Sequence, residues 1–230
     1  MNLKIIPIIN KGVETIIKNP IILIPIIINT ILACFFYYFF VYTSAALQNI
    51  KNLQFATIFF ALISMFLGLI ASKLIYDVIK NNEASLSQAI LLSLKRFPFV
   101  FIGGILYFLI FGIGFIALII PGIFLFIKFL FYSYLILLNN EKIINSFKRS
   151  WQITKGNWWK IFILFLIFTL PAMILSTITG IIATFSIFIA LAIDFIYLLL
   201  LGSLSVSIFT ITYIQLINKE EVAKELQPQT

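Results

Sequence analysis

Apolar residues fall in long blocks with no charge, and each block is of membrane-crossing length. A helix needs about 20 apolar residues to cross about 30 Å of hydrocarbon. No charge lies between Lys18 and Lys51, and Pro20 to Tyr42 predicts span one. Phe55 to about Tyr76 predicts span two. From Arg96 to Glu141 the only charge is Lys128, and the run has twice the length of one crossing. The turn dipeptide Pro121-Gly122 is the natural break. It gives span three at Pro98 to Ile120 and span four at about Ile123 to Leu138. From Lys160 to Lys219 the only charge is Asp194. The polar stretch Ser176–Gly180 divides this run into span five, Trp158 to about Leu175, and span six, about Phe188 to Leu216.

The blocks are apolar on both faces, which excludes a β-barrel with its alternating pattern. The first block is longer than the apolar core of a signal peptide, so no cleaved leader is expected. Six spans place Lys4, Lys11, Lys18, Lys80, Lys95, Arg96, Lys142, Lys148, Arg149, Lys155, Lys160, Lys219 and Lys224 on one side, and Lys51 alone on the other. Basic loops face the cytoplasm. The expectation is a multi-pass protein of the cell membrane with both termini cytoplasmic.

Three basic segments precede spans one, three and five. Ile5, Ile9, Val13, Ile16 and Ile17 share a helical face in the first. Leu86, Ile90, Leu94 and Phe97 do so in the second, and Ile143, Ile144, Phe147 and Trp151 in the third. Such amphipathic helices lie in the membrane interface with basic residues on anionic headgroups. The candidate anchors are Lys18, Lys95, Arg96, Lys148, Arg149, Trp151, Lys155, Trp158, Trp159 and Lys160. Interfacial helix, crossing, turn and crossing would then recur at about 1–80, 81–140 and 141–230, within a single membrane domain of residues 1–230. The fold class is all-α, a polytopic bundle of six transmembrane helices with interfacial amphipathic helices and this three-fold repeat.

Composition agrees with that class. The 230 residues are 62% hydrophobic and 10% charged, against about 25% charged in a soluble domain. The net charge of +8 therefore speaks to membrane orientation, and nucleic acid is not an expected partner. There is no His, and Cys34 is the one Cys. That removes Ser-His-Asp triads, Cys-His dyads and His-ligated zinc or haem. No cofactor, metal or catalytic residue is expected, and the protein is read as not an enzyme.

Ile120-Pro121-Gly122-Ile123, Lys128, Glu141, Ser146, Arg149-Ser150-Trp151, Thr154-Lys155-Gly156 and Trp158-Trp159 form a recognisable series. It resembles the membrane domain fused to some glycerophosphodiester phosphodiesterases and found in related stand-alone multispanning proteins. The likeness is best over about 95–165. It implies a six-helix membrane module. The phosphodiesterase barrel itself has no counterpart here, so its activity is not carried over.

Charges inside the spans are expensive and are candidate sites. Lys128 and Asp194 could share a depth towards the outer side and pair. Lys73 and Asp77 can pair at i, i+4. Ser64, Gly68 and Ser72, and Ser203 and Ser207, have the small-residue spacing of close helix packing. Pro25 and Pro171 are expected to kink their helices. The function expected from these features is a non-enzymatic membrane module that interacts with lipids, through anionic cytoplasmic headgroups, or with a protein partner. The alternative is a small-solute or ion transporter or channel built on the Lys128/Asp194 site.

Overall fold

The computed structural model describes residues 3–42 and 50–225. The side chains of Lys51 and Lys224 lie outside the described ones. All regular structure among the described residues is helical. Helix α1 is Ile5–Lys18, and a 3-10 turn Pro20–Ile22 leads into α2, Leu23–Phe36, which continues as a π-helical stretch Tyr37–Tyr42. Then come α3, Ile50–Asn81, and α4, Leu86–Ala117. Span four is divided into α5, Ile119–Phe129, and α6, Tyr132–Leu138. The short α7, Ile143–Ile153, precedes α8, Trp158–Phe185. Span six consists of α9, Ile187–Tyr197, a π-helical stretch Leu198–Gly202, and α10, Ser203–Glu225.

Six helices are long and apolar enough to cross a membrane, at Pro20–Phe39, Gln54–Asn81, Leu86–Ile116, Ile119–Leu138, Trp158–Phe185 and Ile187–Val222. Their outward faces carry large bare hydrocarbons, up to 87% exposed at Ile116 and 88% at Phe185. Only lipid can cover so continuous an apolar surface. The protein is a multi-pass membrane helical bundle.

The spans form a ring. Helix α2 packs on α3, α3 on α4, α4 on α5 and α6, α5 on α8, α8 on α9, and α9 returns to α2. Helix α10 also packs on α3, which links spans two and six. One core joins Ile8 of α1 to Ile127, Phe131, Leu135, Ile161 and Ile211. A second joins Ile22 and Ile26 to α3 and Ala89. A third packs Val100, Tyr132 and Phe147 together.

Both expected breaks move. The chain turns at Leu118, which is extended (φ −166°, ψ 143°), and not at Pro121-Gly122. Pro121 is the third residue of α5, where a missing N–H costs nothing. Gly122 instead makes the seam of the hairpin, since a Cβ there would stand 2.9 Å from the Phe115 backbone. Ser176–Gly180 lies inside α8, and the turn is at Ser186 (φ −153°, ψ 108°). The hydroxyls of Ser176 and Thr177 both donate to the Met173 carbonyl, and Thr179 donates to that of Ser176. Polar side chains satisfied on their own helix cannot break it. Pro171 also lies within α8.

The interfacial helices differ from expectation too. The second does not exist as a separate element, because α4 runs through Pro98 from Leu86. Ala89, Ser93 and Val100 form its buried face, and Ile90 and Leu94 point outward. Small residues let α4 dock on α3, and the single bond lost at Pro98 does not outweigh that contact. Helix α1 is separate, yet it turns Ile8, Gly12 and Thr15 inward and leaves Ile17 exposed. It lies along α10, where the Ser207 hydroxyl donates to the Gly12 carbonyl at 3.3 Å. Of the three expected preceding helices, two are therefore discrete elements, α1 and α7.

Candidate functional site

Helix α7 is the hub of the polar chemistry. Its inward face carries Ser146, Phe147, Ser150 and Ile153, and Ile144 faces out. The expected apolar face is thus rotated towards hydroxyls. The reason lies in span four. Between α5 and α6 the helix is interrupted at Leu130 and Phe131, which frees backbone groups. The Ser150 hydroxyl donates to the Lys128 carbonyl at 2.9 Å and accepts from the Phe131 amide at 3.3 Å. Thr154 adds a longer bond to the same carbonyl at 3.5 Å. In a dry interior each such group must find a partner. Helix α7 supplies them, and it packs against both halves of span four. Phe147 stacks on Tyr132 at 5.2 Å along the same contact.

Arg149 leaves the flank of α7 and bridges two carboxylates. Its Nη1 donates to Glu141 and its Nε to Glu220, both at 2.9 Å. Burial by itself would lower its pKa, but the bonds to Glu220 and Glu141 outweigh it and hold the guanidinium above its ordinary range. Tyr213, buried beside this clamp, donates to the Asn139 carboxamide. Glu141, Asn145, Lys148, Arg149, Gln152 and Glu220 line a polar recess of about 320 Å³.

The third group stands where α5, α7 and α8 meet. Lys128 is 6% exposed, and its Nζ lies 5.0 Å from the Trp151 ring centroid and 5.5 Å from that of Phe124. Phe124 packs on Trp151 at 5.7 Å and on Trp158 at 5.8 Å. The Trp158 indole N–H donates to the Phe124 carbonyl at 3.3 Å. Trp159 is 68% exposed and meets Trp158 edge-on. Lys155 is exposed on the turn that follows α7.

These contacts separate Lys128 from Asp194. Lys128 sits against α7 and the start of α8, among residues of the basic end. Asp194 lies in α9 with the Thr179 hydroxyl in hydrogen-bonding reach and Cys34 nearby. Among the described residues the ion pairs are Lys18–Glu14, Lys73–Asp77, Arg149–Glu141 and Arg149–Glu220. The i, i+4 pairing of Lys73 and Asp77 is thus present. Lys128 and Asp194 form no ion pair: Lys128 faces Phe124 and Trp151, and Asp194 faces the Thr179 hydroxyl.

The expected anchors have divided roles. Lys18 pairs with Glu14 at an exposed site. Lys160 donates to the Leu3 carbonyl at 2.9 Å and so ties the start of α1 to α8. Arg149 is internal. Arg96 has a buried Nε with no partner among the described residues, and Lys95 is exposed on α4. Lys148 borders the polar recess, Trp151 stands over Lys128, Trp158 packs on Phe124, Trp159 meets Trp158, and Lys155 is exposed on the turn between α7 and α8. Sequence reasoning missed Ser150, Thr154 and Glu220 as working residues. The signal for the first two was present: two hydroxyls at i, i+4 on a supposedly apolar face. No group of three or more Cys, Asp or Glu among the described residues could hold a metal ion.

No curated protein and no solved structure matches the chain. A family model described as a domain of unknown function, DUF7847, matches residues 36–218. That stretch is most of the 230 residues and contains span four, α7 and the Lys128 corner. With six apolar helices and a match of this extent, the chain belongs to the DUF7847 family.

Proposed function

We propose that the protein is a non-enzymatic module of the cell membrane, with both termini in the cytoplasm, whose basic end engages anionic lipid headgroups. The observation that carries this reading is the surface around α7. Lys148 and Lys155 are exposed, with no carboxylate within 4.0 Å among the described residues, and Trp159 at the start of α8 carries an exposed ring. Free ammonium groups and an exposed indole on α7, its following turn and the start of α8 suit the headgroup layer, where the ring buries its apolar body and the cations meet phosphates. Arg149 takes no part, since its charge is matched internally. The resemblance to the membrane domain of some glycerophosphodiester phosphodiesterases supports the same reading, as a membrane module without catalytic residues of its own.

The test is lipid retention. The protein is purified into nanodiscs containing equal amounts of zwitterionic and anionic lipid, and the lipids that remain bound are weighed by native mass spectrometry. Enrichment of anionic lipid that falls in a Lys148→Gln, Lys155→Gln double variant is the expected result. Equal retention of both lipid classes by the unaltered protein would overturn the reading. A reporter at residue 230 that is active only in the cytoplasm checks the orientation.

A further inference from the structure

We propose that Lys128 is the fixed cation of a phosphate-binding site at the corner where α5, α7 and α8 meet. The inference rests on the headgroup reading and gives it a specific receptor. Lys128 is 94% removed from solvent contact, with its Nζ held over Phe124 and Trp151. No carboxylate lies within 4.0 Å of it among the described residues; the ion pairs there use Lys18, Lys73 and Arg149. The titratable residue on the turn that follows α7 is another cation, Lys155, and not a counter-charge. Two aromatic faces return less than a buried ammonium loses on leaving water. A second ammonium makes the balance worse. An anion in the corner would supply the counter-charge that these neighbours lack.

Three further features suit a phosphate. Asn157, on the turn joining α7 to α8, is 2% exposed, and neither atom of its carboxamide has a hydrogen-bond partner among the described residues. A buried amide left without bonds is costly and marks a place where a ligand can supply them. Gly156, on the same turn at φ +78°, has open space where a Cβ would stand. The left-handed backbone favours glycine, and the missing side chain leaves the turn uncrowded. Finally, the charges are ammonium groups, which meet a phosphate as point charges and do not need the planar fit of arginine. A phosphate has oxygens enough for Lys128, Lys155 and an amide donor together. It could come from a lipid headgroup or from free phosphate in the cytoplasm.

Of the three tryptophans of the chain, Trp151 and Trp158 pack on Phe124 at this corner and Trp159 meets Trp158 edge-on, so tryptophan fluorescence reports on it. The full-length protein in phosphatidylcholine nanodiscs is titrated with short-chain phosphatidic acid and, separately, with inorganic phosphate. Phosphatidic acid is expected to change the fluorescence saturably. Lys128→Met should weaken that binding at least tenfold and Lys155→Gln at least threefold, with Lys219→Gln unchanged. If Lys128→Met does not fold, the Lys155→Gln comparison decides. Competition by millimolar inorganic phosphate supports the site with free phosphate as its ligand. Binding of phosphatidic acid that phosphate cannot displace supports it with the lipid as ligand. Equal binding by the unaltered protein and both corner variants, with anionic lipid still preferred, would overturn the site and leave the headgroup reading standing. No preference for anionic lipid, with phosphate still bound through Lys128, would overturn the headgroup reading and leave the site.

Discussion

The hydroxyl of Ser150 lies across the gap in span four, 2.9 Å from the Lys128 carbonyl that it donates to. The same oxygen accepts the Phe131 amide, so one side chain closes both ends of a helix interruption. A short polar helix is thereby held inside a membrane bundle by the backbone it repairs.

Ser150→Ala removes that repair and leaves the Phe131 amide buried without its bond. The Lys128 carbonyl keeps only the longer contact with Thr154. The expected loss is about 1–3 kcal/mol. Thermal unfolding in detergent measures it, and Ser150→Ala, Thr154→Val should lose more than the sum of the two single changes.

Arg149→Met removes the guanidinium that both Glu141 and Glu220 bind. Both carboxylates are partly open to solvent, so the cost is less than for a fully buried pair, at about 1–3 kcal/mol. Arg149→Lys should restore little, because one ammonium cannot reproduce the two-armed geometry. Replacing both carboxylates in the Arg149→Met background (Glu141→Gln, Glu220→Gln) should recover part of the lost stability.

Glycines of the α4–α5 hairpin should differ sharply. A Cβ on Gly122 would meet the Phe115 backbone at 2.9 Å, and backbone cannot yield as a side chain can. One on Gly112 meets nothing within 4 Å. Gly122→Ala should lower the unfolding temperature by several degrees, consistent with an overpacking cost of about 1–3 kcal/mol. Gly112→Ala should leave it unchanged or raise it, since alanine is the better helix former.

Gly12→Ala tests the seat of α1. The new methyl would lie 2.9 Å from Ile208 Cγ1. It should push α1 off α10 and speed proteolysis within residues 5–18. Ile208→Ala in the same chain makes room for the methyl and should slow that cleavage again.

Lys128 and Asp194 should behave as independent positions. Lys128→Met and Asp194→Asn are expected to change stability additively, within about 0.5 kcal/mol. A double variant clearly more stable than the sum predicts would mean that the two charges meet.

Hydrophobic length made the six spans legible, and the clustering of cations made one end of the bundle legible. The turns were not legible, because Pro121-Gly122 and Ser176–Gly180 both have the composition of a loop. Pro121 is harmless in a first turn, and the hydroxyls of Ser176, Thr177 and Thr179 bond to their own helix. What ends each helix is a single extended residue, Leu118 or Ser186, with nothing unusual in its chemistry. The role of Arg149 was hidden for a different reason. Glu220 lies 71 positions away, and no local pattern announces a partner at that distance.

Chain chemistry by itself determined that the protein lives in lipid, since side chains this apolar cannot face water over six helical lengths. It also determined that a Lys within span four must be accommodated somehow. Only the tertiary structure decided how. Docking α7 against the interrupted helix sets Lys128 between two aromatic rings and away from Asp194. The physical reason is that hydrophobicity acts through total area and needs no partner to be named. A broken helix or a buried ammonium is satisfied only by particular atoms, and their positions exist once the chain has folded.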